Sequence, residues 1–212
     1  MHLSQPYYFI IILLSAITAV TVNFFGLKAF YVFKPLTTVL ILIYPFIFQA
    51  THLKKYVKLV TLGLFFCLTG DIFLLFESYF IWGLASFLIG HMFFLFAFVQ
   101  RQGWQWKLQI LIILGLVGAI VFLFIYKNLE MLFFPVSVYL LVIIVMSWQG
   151  WALALNPNEK NVQPLGWGVS LFLFSDALIA IDKFYYPFSI AGILILVTYW
   201  TAVFLIAKSA SK

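Results

Sequence analysis

The chain has 212 residues, 66% of them hydrophobic and 8% charged, with a formal net charge of +6. A mean hydropathy of +1.14 excludes a soluble globular domain; this is the composition of a polytopic membrane protein, with nearly every residue in a span or a short connection. The positive surplus does not suit nucleic acid, because no basic cluster exceeds Lys54, Lys55 and Lys58, and those three suit anionic lipid headgroups better.

Apolar runs of about 20 residues, separated by turn signals, predict an all-α membrane protein with eight transmembrane helices. In chain order they fall near 6–25, 34–51, 56–76, 80–99, 107–126, 131–155, 164–182 and 187–208, forming one domain over 1–212. The first run lacks a preceding lysine or arginine and is followed by further spans, so it reads as an anchor rather than a leader. Pro35, Pro164 and Pro187 are expected in first helical turns, where proline is tolerated, and Pro45 and Pro135 at positions that bend a span. With eight spans both termini share a face. That face receives eight of the lysines and arginines (Lys54, Lys55, Lys58, Arg101, Lys107, Lys160, Lys208 and Lys212), and the other receives Lys28, Lys34, Lys127 and Lys183. Positive charge stays inside, so both termini are expected in the cytoplasm; the expected location is a bacterial cytoplasmic membrane.

Two aspartates interrupt these spans. Asp71 and Asp176 each follow a glycine by eight positions and precede a second acid, Glu77 or Asp182, by six. A charged side chain at a bilayer centre costs roughly 2.5–3.5 kcal/mol on insertion scales, so such residues face an interior and mark function. Both lie in the outer half of the membrane in this topology. Asn23 ends the first helix on that side, Lys34 begins the second, and His91 lies mid-helix. Together they predict a polar cavity that opens outward and holds both carboxyls.

A shift of 105 residues superposes Asp71 on Asp176, Gly63 on Gly168, Gly70 on Ser175, Glu77 on Asp182 and Tyr79 on Phe184. The chain therefore reads as two parallel four-helix repeats, 1–105 and 106–212, about an axis along the membrane normal. Outside the third and seventh helices support is thin: Lys34, for example, falls on Tyr139.

Several segments, in order and spacing, carry a resemblance. They are Lys34-Pro35-Leu36, Gly70-Asp71-Ile72-Phe73-Leu74-Leu75, Gly83 through Phe87 to Gly90-His91, Tyr139 to Met146, and Ser175-Asp176-Ala177-Leu178-Ile179-Ala180 with Lys183-Phe184. The set resembles the YhhN-type lysoplasmalogenase family from about Lys34 to Tyr199. The resemblance implies an eight-span hydrolase that cleaves the vinyl ether bond of lysoplasmalogens, giving a fatty aldehyde and a glycerophospho-headgroup. The last helix departs from the family pattern of a Tyr-Tyr pair followed by Gln; it reads Tyr199-Trp200-Thr201-Ala202-Val203, which bears on headgroup preference.

Vinyl ether hydrolysis suits two carboxyl groups. One protonates the vinyl carbon, and the other, ionised, stabilises the oxocarbenium-like cation and activates water, as paired acids do in glycosidases. Close carboxyls resist double ionisation, which separates the two roles. Asp71 and Asp176 are the candidate pair, and the residues leave open which is the acid.

Lys34 is a candidate for the substrate phosphodiester, or an ordinary snorkelling lysine. His91 is a proton relay, or a packed histidine where Gly83, Ser86 and Gly90 let helices approach. Asn23 orients water or headgroup, or merely ends a helix. Tyr139 and Tyr199 offer hydroxyls, although aromatic packing is their default. Asp182 reads as a rim residue or a partner of Lys183 or Lys28. Cys67 shares a face with Asp71 and reads as core packing. No cofactor or metal is expected, since zinc wants three protein ligands and only His91 lies well inside a span. The expected partners are a lysophospholipid substrate and membrane lipid. Two rival readings stand beside the hydrolase: a small proton-coupled transporter, and a protein that binds lysolipid without turnover.

Overall fold

The computed structural model describes residues 4–48, 53–159 and 162–211. Eight long helices account for most of them: α1 Gln5–Phe24, α2 Phe30–Ile47, α3 Lys54–Phe73, α4 Phe80–Gln102, α5 Leu108–Ile125, α6 Phe133–Ala154, α7 Gln163–Phe184 and α8 Ala191–Lys208. All eight are long and apolar enough to cross a membrane, and the chain is an integral membrane protein. The expected end of the second helix at 51, together with His2, His52, Lys160 and Lys212, lies outside the described residues.

Turn chemistry explains where the helices differ from expectation. Gly26 takes a left-handed φ of +63° just past α1. There the Leu27 amide reaches back to the Val22 carbonyl at 2.8 Å and the Gly26 amide to that of Asn23 at 3.0 Å. This glycine-centred stop ends α1 abruptly, so α2 begins at Phe30 and Pro35 lies inside it with Pro45. Pro35 thus leaves the Tyr31 carbonyl without its helical donor. Pro164 does occupy the first turn of α7, whereas Pro187 lies in the loop before α8, which starts at Ala191. Pro135 falls in the first turn of α6.

Helices consecutive in sequence pack together within each half, α1 to α4 and α5 to α8. The halves meet where α2 lies on α8, α4 on α6 and α3 on α8, with further contacts between α1 and α8. Glycines let α3 and α4 close on each other. A β-carbon on Gly63 would strike the Phe94 ring, and one on Gly90 would stand 3.1 Å from the backbone oxygen of Gly63. The small residues let the two backbones close up, as they do where lipid offers no hydrophobic drive between helices. This contact fixes the height of His91, the residue after Gly90, against α3.

Because Gly90 faces backbone rather than a movable side chain, Gly90→Leu is expected to lower stability by about 1–3 kcal/mol, read as thermal unfolding of the purified protein in detergent.

Candidate active site

Asp71 lies near the end of α3 and is 2% exposed. A carboxylate in such a place is tenable only if its charge and lone pairs are met, and two other helices meet them. From α2, Thr38 donates its hydroxyl to Oδ2 at 2.6 Å and Lys34 brings Nζ to 3.7 Å from Oδ1. Lys34 and Thr38 are four residues apart and so share a helix face. From α8, Tyr199 donates its hydroxyl to Oδ2 at 2.8 Å. Trp200 then anchors Thr38, its indole N–H donating to Oγ1 at 3.1 Å.

Asp176, on α7, is the mirror case with fewer partners. Tyr139 of α6 donates its hydroxyl to Oδ2 at 2.5 Å, and Nε2 of His91 from α4 stands 3.8 Å from the same oxygen. His91 is fully buried, and neither of its ring nitrogens has a hydrogen-bond partner. Its ring packs edge-on against Phe172 at 4.5 Å and Tyr139 at 5.3 Å.

The two carboxyls are joined through an aromatic partition. The Phe172 ring touches His91 on one side and Tyr199, at 5.6 Å, on the other. Cys67 is buried within electrostatic reach of both aspartates. The polar chamber expected around both is not what the fold builds. A cavity of about 420 Å³ lies among α4, α5, α6 and α7; its wall is apolar apart from Asp176, Tyr139 and Ser170. Asp71, Lys34, His91, Tyr199 and Asn23 do not line it. The reason is local: Asp71 is so fully met by Lys34, Thr38 and Tyr199 that its cluster closes on itself, while the thinner coordination of Asp176 leaves it 12% exposed at the cavity wall.

The remaining expected residues fall elsewhere. Lys34 faces Asp71, with its side chain only 9% exposed, and is not presented to a phosphate. Asn23 abuts Gly192 at the start of α8, about 10 Å along that helix from Tyr199. Asp182 accepts the Phe188 amide at 3.1 Å and so fastens the turn between α7 and α8. Lys183 reaches the exposed Glu77 at 3.7 Å rather than Asp182. Among the described residues no group of three or more His, Cys, Asp and Glu is gathered to hold a metal ion. Sequence reasoning missed Thr38, Trp200 and Phe172. Thr38 carried a signal, a polar residue one turn beyond Lys34; Trp200 and Phe172 look like any aromatic in an apolar helix.

The family model described as the YhhN family matches residues 29–210, a stretch that takes in both aspartate clusters. The chain belongs to the YhhN family. Among curated YhhN-like relatives, it is 37% identical over 158 residues to the bovine (Bos taurus) protein named lysoplasmalogenase TMEM86A, covering 71% of this chain and 64% of that one. It is 32% identical over 157 residues to the human (Homo sapiens) lysoplasmalogenase TMEM86B, covering 74% and 65%. A Dictyostelium discoideum lysoplasmalogenase homolog matches 72 residues at 32% identity, 34% of this chain and 24% of that protein. The chain thus spans just under two thirds of the length of these mammalian relatives. No solved structure matches it.

Within this YhhN-family bundle, removing one member of the Lys34–Asp71 pair strands a buried charge. Lys34→Met is expected to cost about 3–5 kcal/mol, and the double variant Lys34→Met/Asp71→Asn to recover most of it, both measured by thermal unfolding in detergent.

Proposed function

We propose that this protein is a membrane-embedded hydrolase of lysoplasmalogen vinyl ether bonds. The observation that carries the reading is Asp176: one carboxyl, with Tyr139 bonded to it and His91 beside it, set in the wall of an otherwise apolar cavity inside the spans. An alkenyl chain is matched by the cavity's hydrocarbon walls, and the bond to be cleaved is matched by a proton donor at the point where those walls turn polar. The names of the mammalian relatives support the same substrate class.

The chemistry needs little else. Asp176 gives its proton to the vinyl carbon distal to oxygen, and the carbon bonded to oxygen becomes an oxocarbenium-like cation. The carboxylate left on Asp176 faces that cation and then takes a proton from an incoming water, whose oxygen bonds to the cationic carbon. The resulting hemiacetal loses the glycerol hydroxyl as leaving group and becomes the fatty aldehyde. Water is consumed once and the carboxyl is regenerated. Tyr139 holds the reacting carboxyl in one rotamer. His91, walled off from the cavity, stands behind Asp176 as its basic neighbour. Asp71 is the ionised member of the pair, acting through its field across the Phe172 partition rather than by touching substrate; at low dielectric such a charge is felt over several ångströms.

The two parallel halves expected from the sequence find support in this arrangement. Lys34 and Tyr139, superposed by the shift of 105, each meet the aspartate of their own half. A second meeting residue comes from the last helix of the other half for Asp71 and from the last helix of its own half's partner for Asp176: Tyr199 of α8 and His91 of α4. The lysine and arginine surplus on the face bearing both termini supports a cytoplasmic position for them. The carrier reading gains nothing from a cavity whose walls are apolar on either side of Asp176.

Incubated with alkenyl-, alkyl- and acyl-lysophospholipids, the purified protein is expected to release aldehyde from the alkenyl form alone, as followed by mass spectrometry. Cleavage of the acyl form, or of none, contradicts the proposal. Asp176→Asn is expected to lower kcat by roughly 100-fold or more. Tyr139→Phe, which keeps the ring and loses one hydrogen bond, should cost roughly tenfold.

A further inference from the structure

The cavity lies where the two halves of the bundle differ. In the first half α1 closes on α8, with the Phe9 and Phe204 rings 5.0 Å apart. The equivalent closure in the second half would bring α5 onto α4. Instead α5 packs on α6 and α7. Its outer end is tied to α7, where Asn128, just past the helix, donates its side-chain amide to the Phe184 carbonyl at 2.6 Å, and Phe124 meets Tyr185 at 5.3 Å. Gly118 sets its approach to α6, for a β-carbon there would run into Ile144 at 2.5 Å.

The consequence shows in what α5 buries. Its buried residues are Leu114, Gly118 and Ile125, and all three line the cavity. The helix therefore serves as a cavity wall whose other faces are exposed. Opposite it on α4 stand Phe80, Leu84 and Phe87, which also line the cavity. Leu84 and Val121 line the cavity from two helices long and apolar enough to span the membrane, and the seam between α4 and α5 carries little packing. The same cavity is lined by Asp176 and Tyr139.

We infer that the α4–α5 seam is a lateral portal through which the hydrocarbon tail of a single-chain lipid passes directly from the bilayer into the cavity, with α5 as its outer wall. This rests on the hydrolase reading only for what happens after entry. A tail arriving sideways brings the bond next to its polar head to the carboxyl without passing through the sealed Asp71 cluster. A double-chain lipid would have to force a second tail through the same seam, so one chain is the fitting occupant.

The test narrows the seam without touching the acidic cluster. Val121→Trp fills it from α5; Val117→Trp, at a lining position that is 45% exposed, serves if the first variant unfolds early in a thermal scan. The first readout is saturable binding of a radiolabelled, non-cleavable alkyl lysophosphatidylcholine to the protein in phosphatidylcholine nanodiscs. The second is turnover of a long-chain alkenyl lysolipid in vesicles against a short-chain, water-soluble alkenyl analogue. Wild type is expected to bind the alkyl lipid. The variant is expected to lose roughly tenfold in that binding and in long-chain kcat/KM, with short-chain turnover falling far less. Unaltered binding in a folded variant overturns the portal, as does absence of binding by wild type or an equal fall with both substrates. Binding that responds to Val121→Trp, without cleavage of any alkenyl lipid by wild type, supports the portal and sinks the hydrolase reading instead.

Discussion

The bundle is organised by the need to satisfy two carboxyl groups that cannot reach bulk water. In a medium of low dielectric an unmet carboxylate is far costlier than a lost apolar contact. Each aspartate therefore recruits side chains from other helices, and those side chains fix how the helices stand. Asp71 draws Thr38 and Lys34 from α2 and Tyr199 from α8. Asp176 draws Tyr139 from α6 and stands beside His91 of α4. The glycine seam between α3 and α4 places His91, and the Phe172 ring keeps the two clusters apart yet in contact.

The two halves solve the same problem to different degrees. One carboxyl is saturated and closed; the other is held by a single hydroxyl and left beside a cavity. A closed, ion-paired aspartate fixes how its helices stand, whereas the other keeps part of its carboxyl toward the cavity. The difference follows from how many partners reach each aspartate, and α5 packs on α6 and α7 while α1 packs on α2 and α8.

Much of this was legible in the sequence. Eight spans and two intramembrane aspartates followed from hydropathy and from the cost of charge in lipid. Pairing was harder. Lys34 falling on Tyr139 under the 105-residue shift looked like a failed repeat, because a lysine and a tyrosine share no chemistry on paper; in the fold each meets the nearby aspartate, Lys34 as an ion pair and Tyr139 as a hydrogen-bond donor. Tyr199 looked like packing, because nothing in a sequence tells where a tyrosine hydroxyl points. The start of α2 was misplaced because proline was taken as the helix-start signal, when the left-handed turn at Gly26 decides it. An apolar lining of Phe and Leu was legible, but the cavity's place, away from Asp71, was not. It depends on Lys34 being consumed by Asp71 and on α5 packing against α6 and α7 rather than α4, and both are long-range consequences of packing.

The central claim is that Asp176 faces hydrocarbon through the cavity and Asp71 does not. Labelling the membrane-embedded protein with dicyclohexylcarbodiimide, an apolar reagent that reaches carboxyls from the lipid phase, tests it directly when the modified peptides are mapped by mass spectrometry. Of the two intramembrane aspartates, Asp176 should be modified and Asp71 spared, with a non-cleavable alkyl lysolipid protecting Asp176. Modification of Asp71 to the same extent, or an unreactive Asp176, would contradict the account.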